Sequence, residues 1–133
     1  EFLKNAIREL KLVNIGVLYG RSEVLAHEDT HREQYDFLVC KAVAEAAVLA
    51  ELALPFLKVG GSAFFYKGPQ GEKELLHARG AIDKCGGEHR NTYPYHLISG
   101  EERFIYKIVK TRATPLQYPR APGKPAKRPL TNN

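Results

Sequence analysis

The 133-residue sequence contains no methionine, no tryptophan and only two cysteines, Cys40 and Cys85. The two thiols lie far apart, with no C-x-x-C pair and no histidine at zinc spacing. That argues against a disulfide framework and against a metal site, and predicts reduced core thiols of a cytosolic protein. The five histidines, at 27, 31, 77, 89 and 96, do not cluster at ligand spacing, so no metal is expected. Long apolar runs are missing too. The longest stretch, residues 42–57, is interrupted by Glu45, Glu51 and Pro55, short of the roughly 18–20 residues that a bilayer span requires. Nothing has the basic, apolar and small-residue order of a secretion signal. These absences predict a cytoplasmic chain with no membrane partner. There is no G-x-S-x-G elbow, no H-E-x-x-H and no Walker A loop, which removes several hydrolase and nucleotide-triphosphate chemistries. No acidic residue follows Glu102, whereas eight Lys or Arg occur from Arg103 onward. Such a basic, Pro-rich end suits a polyanionic partner, nucleic acid being the commonest; basic tails also occur as solubilising ends.

What remains is the composition of one compact α/β domain, with 44% hydrophobic residues and a formal net charge of +5. Phe2, Leu3, Ala6, Ile7 and Leu10 share one helical face, and no N-cap precedes them. With methionine absent, this leads us to expect a chain that starts inside a helix and lacks an upstream part. Residues 2–11 read as that helix, and Val13 to Leu18 as a first strand turned out by Tyr19-Gly20. Residues 21–34 read as a polar connection with one helical turn or two. Tyr35 to Cys40 reads as a second strand buried on both faces, as in a parallel sheet covered by helices. An apolar helix from Ala42 to Leu54 should end at Pro55. Gly60-Gly61 is expected to break the chain before a third strand, Ser62 to Lys67. A helix over 70–85 should stop at Gly86-Gly87. Two final strands, Glu88 to Leu97 and Arg103 to Lys110, should form a hairpin around Ser99-Gly100-Glu101. The resulting division is 1–110 as the folded part and 111–133 as a basic Pro-rich segment, either packed on the domain or flexible.

Ligands in open α/β sheets sit outside the carboxyl ends of the strands, which singles out few residues. Gly20, Arg21, Ser22 and Glu23 follow the first strand; they can read a nucleoside edge, or simply form a turn with a helix N-cap at Ser22. Lys41 and Lys67 end the next two strands and could meet a carboxylate or phosphate, or make surface ion pairs of little value. Gly68-Pro69-Gln70-Gly71 has the spacing of an RNA-clamping G-x-x-G loop, but its proline and its place after a strand favour an ordinary strand-to-helix turn. Arg120, Lys124, Lys127 and Arg128, stiffened by neighbouring prolines, suit phosphate contacts, and Tyr118 could stack on a base. The same run could instead strap across the domain, and both roles can hold together.

These residues resemble the small-subunit ribosomal RNA methyltransferase G family, also called glucose-inhibited division protein B. Gly20-Arg21-Ser22-Glu23 is similar to the family's G-R-A-E, and Tyr35-Asp36 with Lys41-Ala42-Val43-Ala44 to its Y-D…R-A-V-A. Leu49, Glu51-Leu52, Pro55-Phe56-Leu57-Lys58 and Gly60-Gly61 look like L-x-E-L…P-L-L-K…G-G, followed by Lys67-Gly68 for K-G. Thr114-Pro115, Tyr118-Pro119-Arg120, Gly123-Lys124-Pro125, Lys127 and Pro129-Leu130 look like T-P…Y-P-R…G-x-P-x-K-x-P-L. The resemblance implies a class I S-adenosylmethionine-dependent methyltransferase sheet, Rossmann-like, incomplete on its N-terminal side and ending in an antiparallel strand pair. It implies N7-methylation of a guanine in small-subunit (16S) ribosomal RNA, with this chain a partial enzyme. It implies cofactor contacts from Ser22 and Glu23, flanked by Gly20 and Arg21, and from Lys41, which stands where the family has arginine. It implies RNA contacts from Lys67, Arg112, Arg120, Lys124 and Lys127. N7 has a free lone pair and no proton to lose, so no catalytic base is nominated; alignment carries the reaction. The family's glycine-rich cofactor motif and its acidic ribose-holding residue are absent. The chain alone is therefore expected to bind S-adenosylmethionine poorly. A non-catalytic RNA-binding module, or one half of a split methyltransferase that pairs with the missing N-terminal part, are the alternative readings.

Overall fold

The computed structural model describes residues 1–41 and 43–133; the expected helix start at Ala42, and that position of the Lys41–Ala44 motif, lie outside the described residues. The elements run α1 (Phe2–Glu9), α2 (Ser22–Leu25), β1 (Tyr35–Lys41), α3 (Ala46–Ala53), a 3-10 turn (Leu54–Phe56), β2 (Leu57–Lys67), α4 (Gly71–Lys84), β3 (Gly87–His96), β4 (Glu102–Lys110) and α5 (Lys124–Lys127). The strands form one sheet in the order β1-β2-β4-β3. β1 pairs with β2 in parallel, while β4 is antiparallel to both β2 and β3. The expected α/β sheet with a closing antiparallel pair is thus present.

The core lies on one face of this sheet. Ala63 and Phe65 from β2 and Tyr106 and Ile108 from β4 alternate inward, where α3 and α4 cover them with Leu49, Ala50, Leu54, Leu75, Ala78 and Ile82. α3 is buried almost all round, as a sequence apolar at every position but Glu51 requires. It starts at Ala46, after an extended Glu45, and not from the expected Ala42, since residues 43–45 are not helical; its end is set by Pro55 in the 3-10 turn. Gly86, with φ of +91°, closes α4. A Cβ there would lie 2.4 Å from the Arg112 carbonyl oxygen, so the position needs glycine twice over.

Three expectations change. Residues 13–18 form no strand: among the described residues they hydrogen-bond to no neighbouring strand, and an isolated extended segment leaves its backbone groups to water. Val13 is 99% exposed. β1 is not buried on both faces but forms the sheet edge, with Phe37 and Val39 exposed. Only Leu38 and Cys40 turn to the core. Finally, Gly60-Gly61 does not interrupt the chain. β2 runs through both glycines, and the pairing slips from Tyr35↔Leu57 to Phe37↔Ser62. The extra β2 residues bulge out there, with Gly60 at φ +94° and the Gly61 backbone close against the Asp36 carbonyl.

Candidate functional site

Parallel pairing brings the carboxyl ends of β1 and β2 together, with Lys41 opposite Tyr66. A cleft of about 520 Å³ opens there, lined by Lys41, Tyr66, Lys67, Gly68, Tyr95 and Arg103 among others. The hairpin supplies its far wall, because Tyr95 and Arg103 are a cross-strand pair. The cleft is therefore aromatic with cations at its rim. Lys41 is exposed and makes no ion pair among the described residues. Arg103 bonds to Glu101 at 3.0 Å.

Lys67 is differently employed. Its ammonium donates to the Ala44 carbonyl and pairs with Glu74 at 3.0 Å, and it is only 10% exposed. Glu74 also accepts the Ala46 backbone N–H at 3.1 Å, a carboxylate placed at the start of α3 where the helix dipole favours it. Lys67 and Glu74 together pin the segment that follows β1, and so fix where Lys41 stands.

The turn Gly20–Glu23 lies elsewhere and does not line this cleft. Arg21, in an extended conformation, is the N-cap of α2 and Ser22 its first residue, without a side-chain capping bond. The N-cap at Ser22 weighed from the sequence is displaced by one position. Glu23 is buried. It accepts the Gly123 backbone N–H at 2.9 Å and an Arg21 guanidinium N–H at 3.2 Å.

Residues 111–133 pack on the domain as a strap. Arg120 forms a two-pronged pair with buried Glu51, Nη2 to Oε2 at 2.8 Å and Nε to Oε1 at 2.9 Å, and its own backbone N–H bonds Oε1 at 2.8 Å. The same Nη2 also donates to the Arg128 carbonyl at 2.7 Å. Arg112 is exposed and bonds the Asp83 backbone and carboxylate. Lys124 and Lys127 stand exposed on α5. Of the five expected phosphate contacts, these last two alone are solvent-facing and unpaired among the described residues.

Several anchoring residues carried no motif. Arg32 donates to the carbonyls of Thr114, Pro115 and Tyr118 at 2.9–3.0 Å. His27 Nε2 bonds the Pro119 carbonyl at 2.7 Å. Lys110, fully buried, donates to the Leu54 and Leu57 carbonyls and pairs with Glu33 at 3.0 Å. In sequence Arg32 and Glu33 are two more charges in a polar connection, so no pattern marks them.

Burial pushes the Glu23 carboxyl up, but the Gly123 and Glu23 backbone N–H groups and Arg21 outweigh it and hold the group below its ordinary value. The same balance, struck by Thr114 and Lys110 with help from Arg32, lowers Glu33. A depressed carboxyl stabilises the fold fully above its unfolded value and loses that contribution as pH falls through the folded one. Urea midpoints should therefore stay level near neutrality and fall below about pH 4, with Glu33→Gln flattening part of the drop. A level profile down to about pH 2 would contradict this coupling. Burial raises both thiols, Cys40 to about 11 and Cys85 to about 12, which makes them inert, as core cysteines are. Among the described residues no group of three or more His, Cys, Asp or Glu is placed to hold a metal ion, and no helix is long and apolar enough to cross a membrane.

The family model for rRNA small subunit methyltransferase G (GidB) matches residues 1–103. The chain is 42% identical to the ribosomal RNA small subunit methyltransferase G of Alkaliphilus metalliredigens, over 98% of this chain and 55% of that protein. It is 44% identical to that of Moorella thermoacetica, over 97% of this chain and 54% of the relative. It thus spans about half the length of the curated relatives it matches. Among solved structures, M. jannaschii TYW2 in complex with AdoMet superposes with a TM-score of 0.55 at 16% identity, covering 82% of this chain and 52% of that one. At that identity the likeness concerns the fold, which is a class I methyltransferase sheet.

Proposed function

The chain belongs to the rRNA small subunit methyltransferase G family, and from that premise we propose that it forms the substrate-side half of an enzyme that methylates guanine N7 in small-subunit ribosomal RNA in the cytoplasm. The observation that carries this reading is the cationic, aromatic cleft where the parallel strands β1 and β2 end, since open α/β sheets place their ligands there. S-adenosylmethionine supplies a methyl group activated on a sulfonium. The residues present fit it on one side. The Arg21 carbonyl is taken by the Val24 and Leu25 N–H groups, so the Ser22 hydroxyl and the backbone N–H groups of Gly20 and Arg21 are what the turn would offer an adenine edge. The Glu23 carboxylate is taken by Gly123. Lys41, free of ion pairs, would face an anionic group of cofactor or RNA, with one point charge where the family has an arginine fork.

The target base would enter the cleft against Tyr66 and Tyr95, since an aromatic face holds a base by stacking. Arg103 and Lys41 would neutralise its flanking phosphates. Lys124 and Lys127 on α5 would carry the RNA on along the strap, while Arg112 and Lys67 would give up their present carboxylate partners only at a cost. No side chain needs to remove a proton, so the protein's contribution is to bring N7 and methyl into line and to exclude water.

The test is transfer of labelled methyl from S-adenosylmethionine to small-subunit rRNA, using this chain supplemented with the N-terminal part of a family member. Label should appear at guanine N7, should be absent with the chain alone, and should fall about tenfold with Lys41→Ala. A gel shift with rRNA but no transfer under any condition would instead favour a non-catalytic RNA-binding module.

A further inference from the structure

We propose that the C-terminal strap is the positioning element of the Gly20–Glu23 turn, and that Glu23 acts as its fastening: a positioning residue whose carboxylate grips the strap and not the ligand. This rests on the reading of that turn as the adenine-side wall of the cofactor site.

Hydrogen-bond accounting carries the inference. Residues 31 and 32 make short links to Gln34 and Tyr35. Beyond those, every hydrogen bond that residues 20–32 send outside their own segment, among the described residues, ends on residues 114–123. Arg32 holds three strap carbonyls, His27 a fourth at Pro119, and Glu23 the Gly123 N–H. The chain next bonds the core at Glu33 and Gln34, whose backbone N–H groups donate to the Pro55 and Phe56 carbonyls, and ahead of that anchor the turn meets α3 by packing, with Ala26 fully buried. Between residue 20 and that anchor the outgoing hydrogen bonds run to the strap, which the core holds through the Arg120–Glu51 pair and through Thr114, whose hydroxyl donates to the Cys85 carbonyl. A four-residue helix such as α2 cannot hold its shape unaided, and α2 has no side-chain cap. Beside the packing of α2 and its buried C-cap Ala26 on α3, its hydrogen-bonded anchor is the buried Glu23 and the bond to Gly123.

The reading also separates two residues that adjacency would group. Glu23 is buried and both its partners are internal, whereas Ser22 is partly exposed and uncapped. Ser22 is left to touch the ligand and Glu23 to hold Ser22 still. The strap leads from Gly123 straight into α5 with Lys124 and Lys127, so whatever holds α5 also steadies the turn.

The test compares Glu23→Gln with Glu23→Ala in this chain. A glutamine carbonyl still accepts from Gly123 N–H; alanine cannot. Hydrogen exchange should be about tenfold faster at Gly123 and across residues 22–26 in Glu23→Ala, and near wild type in Glu23→Gln. The weak chemical-shift response of the Ser22 amide to added S-adenosylhomocysteine should follow the same order. Unchanged exchange in Glu23→Ala overturns the proposal. So does a Glu23→Gln variant that keeps exchange protection but loses the ligand response, because the carboxylate would then act on the ligand directly. No ligand response in any variant, with exchange altered as expected, counts against the cofactor reading and leaves the fastening standing. Should Glu23→Ala lose its helical circular dichroism, His27→Ala removes one peripheral strap bond and should speed exchange across 22–27 by a smaller factor.

Discussion

Replacing Lys110 by methionine should lower the stability of the fold by about 3–5 kcal/mol, a third or more of the total available to a domain of this size. Methionine keeps most of the side-chain volume, so the loss is electrostatic. The Lys110 ammonium is completely inaccessible and lies 2.7 Å and 3.0 Å from the Leu54 and Leu57 carbonyls and 3.0 Å from the Glu33 carboxylate. It serves as the terminal cation of α3, placed where the helix leaves carbonyls without partners. Burial depresses its pKa and Glu33 pulls the other way. Removing it takes a donor from two carbonyls at the junction of α3 and β2 and the main cation from Glu33, which keeps its bond from the Thr114 N–H. Urea unfolding followed by circular dichroism reads the change. The double replacement Lys110→Met with Glu33→Gln should recover part of it, since the uncompensated charge is gone while the carbonyls still lack a donor. A single variant within about 1 kcal/mol of wild type would mean that water reaches Leu54 and Leu57 in solution.

The elements that sequence reasoning located well are those whose signal is local. α4 carries apolar residues at steps of three and four and ends at a glycine that must take a positive φ. The β3–β4 hairpin carries its turn at Gly100. α3 is stopped by a proline. The failures concern partners. Val13 to Leu18 has strand composition, but a strand exists only beside another, and composition says nothing of what lies alongside. An apolar run predicts burial of Phe37 and Val39, but they alternate with the core-facing Leu38 and Cys40 and so stand on the sheet face opposite the core, where they are exposed. Gly60-Gly61 has the composition of a break, yet the residues fit a bulge because Gly60 takes a positive φ and the Asp36 and Lys58 carbonyls crowd Gly61.

The candidate site divides the same way. Lys41 and Lys67 were placed together by recognising strand ends, and they do share a cleft. That Lys67 would be consumed by Glu74 and Ala44, and Glu23 by Gly123, depends on contacts between segments up to a hundred positions apart. A motif residue that looks ready for a ligand can be occupied in holding the motif's own loop. Arg32 shows the converse. It has no motif, yet it binds more of the strap than any residue the sequence singled out.

Arg120 puts the two roles of the basic segment in direct competition, and its replacement by alanine should cost about 3–5 kcal/mol. Glu51 is wholly buried, and among the described residues its carboxylate is satisfied by Arg120 alone: two side-chain prongs and the Arg120 backbone N–H. Alanine leaves one backbone bond to a charge with no route to water. The reciprocal change, Glu51→Leu, should cost less, about 1–2 kcal/mol. Arg120 is 19% exposed and long enough to swing its guanidinium into solvent while its methylenes keep their packing. Combining Glu51→Leu with Arg120→Met should cost less than Arg120→Ala alone, because no buried charge remains. Urea midpoints for wild type and the three variants give these values, and limited proteolysis within 112–123 shows where the chain opens first. If Arg120 served chiefly to meet RNA phosphate, alanine there would leave the midpoint unchanged and weaken only RNA binding. The bidentate geometry on a buried partner argues for the opposite order of effects, with the strap released first and every contact it carries, α5 and the Gly20–Glu23 turn included, lost with it.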